Sequence, residues 1–205
     1  GAGDKAFAAG TDISQFRAFR TAEQGLAYEK HADEIFKAIE ACPVPIIAAM
    51  AGACTGGGAG IAACCDIRLA TRDMRFGFPI ARTLGNCLSA ATLRRLVAVA
   101  GQARVGDMIY SARLLDAEEA RSIGLVNEVL DDHASLIARA DALANRIKEH
   151  APLTMRTTKE LLRRLRDGGN PIDDEALIAT VYTSDDFREG MEAFLGKRKP
   201  NWQGK

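Results

Sequence analysis

Three consecutive glycines, Gly56-Gly57-Gly58, stand between an apolar run and a segment of small residues. No other residues of this chain have a type and spacing that so directly permit chemistry. Glycines at the junction of a strand and a helix leave backbone N–H groups uncovered, at the end of the helix dipole that attracts negative charge. Such a place can hold a phosphate, or an oxyanion forming on a carbonyl. The overlapping Gly58-Ala-Gly60-Ile-Ala-Ala63 also fits the relaxed G-x-G-x-x-A form of a dinucleotide loop. Its acidic partner, due about 20 residues on, is missing, because Asp66 is too near and Asp73 still short. No Gly-Lys-Ser/Thr follows, which excludes a P-loop. The same glycines also permit close helix–strand packing, and that use is compatible with oxyanion binding.

Other candidates are weaker. Thr11 and Asp12, after Gly10, can bond backbone or ligand, and an aspartate so placed is read first as bonding its own turn. His31, His133 and His150 lie in polar helical surroundings with no metal-ligand spacing between them. Cys42, Cys54, Cys64, Cys65 and Cys87 form no C-x-x-C and sit among apolar or small residues. They read as reduced core thiols of a cytosol-like, cytoplasmic compartment, Cys87 included. Arg94-Arg95 reads as a solvated face, as does Lys197-Arg198-Lys199, although the latter would suit a phosphate-bearing ligand. Lys plus Arg equals Asp plus Glu, 27 each, so charge favours neither nucleic acid nor an acidic membrane surface. No apolar run approaches membrane-spanning length, and no signal peptide is visible.

The elements that must position the glycines follow from punctuation and periodicity. Lys5 to Ala9 predicts a strand ending at Gly10. Thr21-Ala-Glu-Gln24 has capping-box form and predicts a helix whose apolar face is Ala32, Ile35, Phe36 and Ile39, stopped before Pro43. Ile46 to Met50 predicts a buried strand, followed by a turn at Gly52, a helix over Ala59 to Cys65 and a strand from Asp66 to Ala70. Arg75 to Phe78 is a further strand, with helices over 89–99 and 103–110, a capped helix after Asp116 and a last strand over 125–130. From Asp131 onward the pattern is helical, with Pro152 in a first-turn position.

Four blocks of this sequence, in order and spanning nearly the whole chain, resemble the crotonase superfamily, the enoyl-CoA hydratases and isomerases. They are Lys5-Ala-Phe-Ala-Ala-Gly-Thr-Asp-Ile13, Pro45 to Leu69 with its glycine triplet and Cys-Asp-Ile-Arg, Leu114 to Val129, and Asp186 to Pro200. The resemblance implies an α/β fold, a stack of β-β-α turns over residues 1–130, and a helical C-terminal trimerisation region over 131–205. Homotrimers or hexamers are then expected. The family's opening strands and first helix have no counterpart, so the fold is expected to be N-terminally incomplete.

The ligand that the resemblance implies is an acyl-CoA thioester, with no cofactor beyond the coenzyme A of the substrate. Carried over residue by residue, the oxyanion-hole N–H groups fall on Thr11 and Gly57. Gly58 lies beside them, and Ala9, Asp12 and Ile13 match positions along the CoA path. Lys197 to Lys199 would meet the CoA phosphates of a neighbouring subunit. The chain departs from the family where hydratases carry two glutamates, since it has Gly60 and Ile80 at those positions. No Asp or Glu lies between Glu40 and Asp66, and only Asp73 between Asp66 and Asp107. Hydration needs a water held and deprotonated by such groups. Asn86, Cys87, Ser89 and Arg82 are the polar residues positioned to stand in. An enolate-forming isomerase or decarboxylase is therefore expected ahead of a hydratase, and an acyl-CoA-binding pseudoenzyme or scaffold is the alternative.

Overall fold

The computed structural model describes residues 1–168 and 174–205, which divide into two compact units. The first comprises Gly1–Ala41 and Ile46–Ala140, the second Cys42–Pro45 and Asp141–Lys205. The described elements run, in chain order, β1 (Ala6–Ala8), a 3-10 helix (Ile13–Ala18), α1 (Ala22–Glu40), β2 (Ile47–Met50), β3 (Ala53–Thr55), α2 (Gly57–Cys64), β4 (Ile67–Thr71) and β5 (Arg75–Gly77). They continue with α3 (Ile80–Thr83), α4 (Ala90–Ala100), α5 (Gln102–Tyr110), β6 (Leu115–Asp116), α6 (Ala117–Ser122) and β7 (Glu128–Leu130). Four helices close the chain: α7 (His133–Ile147), α8 (Pro152–Asp167), α9 (Glu175–Tyr182) and α10 (Asp185–Leu195).

The strands alternate between two sheets. One has the order β1-β3-β5-β6 and the other β2-β4-β7. Each of the pairs β2/β3 and β4/β5 therefore puts its first strand in one sheet and its second in the other, and then hands the chain to a helix. That is the expected stack of β-β-α turns; its ladders are parallel except β5/β6, and each parallel pair has the helix-bearing crossover that parallel strands need. β3 was not expected from the sequence, where Ala53-Cys54-Thr55 is lost between the Gly52 turn and the glycine triplet. The corner itself requires glycine: Gly52 has φ +60°, and a Cβ there would lie 2.1 Å from the Lys5 carbonyl oxygen.

Side chains from both sheets and from α2, α4, α5 and α6 fill the core, among them Met50, Met74, Phe76, Leu96, Met108, Leu115 and Leu125. Arg68 is buried beside it. Its Nε donates to the Leu125 carbonyl at 2.6 Å, and its Nη1 to the carbonyl of Cys65, at the end of α2. A cation at a helix C-terminus opposes the dipole and satisfies a carbonyl that the helix cannot. Arg68 thus fixes one end of α2, and the other end carries Gly57.

Local signals set the helix starts as expected. Gln24 Oε1 accepts the Thr21 N–H at 3.1 Å in the α1 capping box, and Asp116 accepts from Glu119 N at the start of α6. Two side chains overturn their expected environments. Cys87 is exposed in the loop between α3 and α4, where no apolar partner closes over it. Arg95 is buried, its Nε and Nη2 held by Glu40 at 3.0 and 3.1 Å and its Nη1 by Asp33 at 2.6 Å. The carboxylates that draw it in come from α1, so nothing local to the Arg94-Arg95 pair announces them.

The second unit is built by the C-terminal half of α7 and by α8 to α10, with Pro152 at the first turn of α8. Its tail folds back on α10. Asp186 accepts the N–H groups of Gln203 and Gly204 at 2.7 and 2.9 Å, and Trp202 packs against Gly190, where a Cβ would sit 2.9 Å from the ring. Arg198 forms a two-pronged pair with Glu189 at 2.6 and 2.8 Å, and Lys199 meets Glu149 at 3.0 Å.

Candidate functional site

The glycine triplet faces a cavity of about 400 Å³ within the first unit. Its wall is made by α1, the chain after β1, the chain entering α2, the end of β5 with α3, and the start of α4. Ala9, Thr11, Ile13, Gly57, Gly58 and Asn86, all anticipated as site residues, lie on this wall. Asp12 does not. Its carboxylate accepts the Ser14 N–H at 2.9 Å, capping the 3-10 helix, and the Ser14 hydroxyl first and that N–H second hold its pKa down.

Two loops meet at the mouth of α2. A Cβ on Gly57 would lie 3.8 Å from Thr11 N, and one on Gly10 would lie 3.6 Å from Gly57 N. The register between the loops is held by Thr55, whose hydroxyl donates to the Ala9 carbonyl at 3.1 Å, and by Gly56 N–H, which donates to the Gly77 carbonyl at 3.0 Å. Gly58 seals the contact, since a side chain there would drive a Cβ to 2.1 Å from the Ala8 carbonyl oxygen. The helix begins at Gly57, two residues before the start expected from sequence. Gly57 is therefore the first residue of α2, and its N–H has no acceptor within the helix. Among the described residues Thr11 N–H has no acceptor either. The Thr11 side chain is tied off, because its hydroxyl oxygen accepts from Tyr28 Oη at 3.0 Å. Two backbone donors from two loops thus meet at a helix N-terminus, both belonging to residues on the wall of a largely apolar cavity. That is the arrangement for a single oxygen carrying negative charge.

The two positions where the family's hydratases carry glutamates are apolar here, as the sequence has them. At Gly60, on the buried face of α2, a Cβ would lie 2.3 Å from Cζ of Phe36, so the phenyl ring of α1 occupies that space. Ile80 is buried and lines the cavity. Of the suggested stand-ins only Asn86 reaches the wall; Arg82, Cys87 and Ser89 do not.

A residue that sequence reading passed over does reach it. Glu29, on α1, is the one acidic side chain among the described wall residues, and no Lys, Arg or His shares the wall with it. Its Oε2 accepts the Ser89 N–H at 3.1 Å. Burial raises the pKa of this carboxyl above the ordinary Glu range, against the opposing pull of the Ser89 N–H. The stripe expected to pack α1 on the core turns partly to the same wall, with Ala32, Ile35 and Phe36 all lining it.

Among the described residues no group of three or more His, Cys, Asp or Glu could hold a metal ion, and no helix is long and apolar enough to cross a membrane. The G-x-G of the dinucleotide pattern is consumed by packing, Gly58 against Ala8 and Gly60 against Phe36.

Comparison with known proteins bears on the family and the fold. The family described as enoyl-CoA hydratase/isomerase matches residues 1–205. A probable enoyl-CoA hydratase of Bacillus subtilis is 34% identical over 202 residues, covering 97% of this chain and 78% of that protein. The short-chain-enoyl-CoA hydratase of Clostridium acetobutylicum is likewise 34% identical, with 97% of this chain and 76% of the relative covered. Among solved structures, an enoyl-CoA hydratase/carnithine racemase from Magnetospirillum magneticum superposes with a TM-score of 0.90 at 38% identity, covering 100% of this chain and 76% of its own.

Proposed function

This chain belongs to the enoyl-CoA hydratase/isomerase family, and on that premise we propose that it binds an acyl-CoA thioester and stabilises the enolate formed at its α-carbon. The observation that carries this reading is the pair of unengaged N–H groups of Thr11 and Gly57, set side by side across two glycine-bearing loops. The thioester oxygen sits between them, and its acyl chain lies in the apolar part of the cavity formed by Ile61, Phe78, Ile80 and Leu88. Both bonds strengthen as charge moves onto that oxygen, so the pair lowers the barrier to gaining or losing an α-proton.

The reaction is a double-bond shift or a decarboxylation ahead of hydration. Syn-hydration asks one group to hold and deprotonate water and another to deliver a proton to carbon, and Gly60 and Ile80 supply neither. A shift or a decarboxylation draws mainly on enolate stabilisation. The filling of the Gly60 position by Phe36 also suits the second reading, an acyl-CoA-binding protein without turnover. The chain works as a homotrimer or hexamer, a reading supported by the apolar side chains that the second unit exposes, Leu162, Leu165, Tyr182, Phe194 and Leu195 among them.

The test is turnover of 2-enoyl-, 3-enoyl- and malonyl-type CoA thioesters, with acetyl-CoA calorimetry alongside. A methyl on Gly57 meets ordinary contact distances, so Gly57→Ala folds while crowding the space before the Thr11 N–H. Gly57→Ala keeps its own N–H, so its loss comes from the methyl displacing the thioester oxygen, and the loss of about 100- to 1,000-fold in kcat typical of losing one oxyanion donor is the ceiling expected for it. Turnover unchanged in Gly57→Ala overturns the oxyanion assignment, and tight binding with no turnover of any thioester selects the second reading.

A further inference from the structure

We infer that Glu29 carries the proton in this site, taking it from the α-carbon of a 3-enoyl thioester and returning it to the γ-carbon. This rests on the acyl-CoA reading above and supplies the group that reading lacks. The geometry is threefold. Glu29 lines the same cavity as Thr11, Gly57 and Gly58. It stands next to Tyr28 on α1, whose hydroxyl fixes Thr11, so one turn of helix sets both the carboxyl and one side of the oxyanion pair. It is also anchored through one oxygen only: Oε2 accepts from Ser89 N, and Oε1 has no partner among the described residues.

A carboxylate in an apolar wall with no cation beside it is costly in the charged state and so is a ready proton acceptor. Its raised proton affinity comes from burial, with no contribution from another charged side chain. The charged groups on the helices it joins are engaged or exposed. Asp33 on α1 is paired with Lys37 and with Arg95 of α4, Arg95 also binds Glu40, and Lys30 and Arg94 are exposed. The remaining titratable group on the wall is Tyr28.

The step balances with one carboxylate. The Glu29 carboxylate takes a proton from C2, and the C–H electron pair becomes the C1–C2 double bond as the carbonyl π pair moves onto oxygen, where the Thr11 and Gly57 N–H groups hold it. The oxygen pair then returns to re-form the carbonyl. The C1–C2 pair shifts to C2–C3, and the former C3–C4 π pair takes the proton back from Glu29 at C4. No water, oxidant or second acid is consumed, which is why a site with a single carboxyl suffices.

The experiment uses the full chain with 3-butenoyl-CoA in deuterated water. NMR follows both deuterium entry at C2 and appearance of the 2-enoyl product, across pH, for the native protein, Glu29→Gln and Gly57→Ala. Gln keeps the acceptor oxygen for Ser89 N–H but cannot take a proton, so a merely structural Glu29 predicts no change. The expected result is native exchange that rises with pH through a single group, and a loss of at least about 100-fold in Glu29→Gln with binding by calorimetry retained. Exchange in Glu29→Gln equal to native, while Gly57→Ala is impaired, overturns the assignment of Glu29 and leaves the oxyanion reading standing. Binding with no exchange or product in the native protein overturns both.

Discussion

The residues that matter most here are adjacent in space and unequal in legibility. Gly57 and Gly58 could be singled out from sequence because three glycines after an apolar run have few uses. Their division of labour could not, since it depends on Ala8 lying against one and Thr11 against the other. Glu29 was passed over because it lies on a polar helix far from the glycines, and only the fold brings it to their cavity. Its environment has a consequence for stability. Burial raises its folded-state pKa, so the carboxyl favours folding when protonated. That contribution is full below the ordinary Glu value of about 4.3 and is lost as pH rises through the raised folded value. Glu29→Gln is therefore expected to melt higher than the native protein at neutral pH, with the gap closing in acid below that value. Thermal unfolding at the two pH extremes checks this. A lower melting temperature for Glu29→Gln at neutral pH would show the carboxylate to be stabilising instead. A group that costs stability where it would do chemistry is the usual trade at functional sites.

Among the elements, the cavity depends on how α1 is clamped to α2 and α4. Phe36 of α1 lies over Gly60 of α2, and the guanidinium of Arg95 of α4 stands 5.6 Å from the same ring while binding Glu40 and Asp33 of α1. Helix caps at Thr21 and Asp116 were readable because a cap is a local bond between residues a few positions apart. Arg95 was misread as a solvated face, and β3 was missed, because both take their partners from distant segments. Removing the guanidinium leaves buried carboxylate oxygens without their main partner, a change that typically costs about 3–5 kcal/mol. Arg95→Met should lose an amount in that range in denaturant unfolding. A loss below about 1 kcal/mol would mean that the pair only offsets its own desolvation.

For the whole molecule, the family and the stack of β-β-α turns were legible because four sequence blocks run in order over nearly the whole chain. The assembly was implied by that likeness alone. The structure adds a physical reason for it in the second unit, where Phe194 is 84% exposed and Leu195 71%. These two apolar side chains, adjacent at the end of α10, would be covered in the proposed trimer or hexamer, where closed symmetry supplies the covering surface from identical chains. Sedimentation is expected to give the mass of three or six chains, and Phe194→Asp a shift toward one. A native protein sedimenting as a single chain would remove the assembly from this account. The basic cluster anticipated as a phosphate contact is partly committed already, Arg198 to Glu189 and Lys199 to Glu149.

The proposed function turns on one thioester oxygen, held between the N–H groups of Thr11 and Gly57. Its polarisation can be observed without turnover, by isotope-edited infrared spectroscopy of a thioester labelled with carbon-13 at the carbonyl. Bound to the native protein, the carbonyl band should move to lower wavenumber than in water, and in Gly57→Ala that displacement should shrink while binding persists. A bound thioester whose carbonyl band stays where it is in water, or moves equally in both proteins, would contradict the account at its centre.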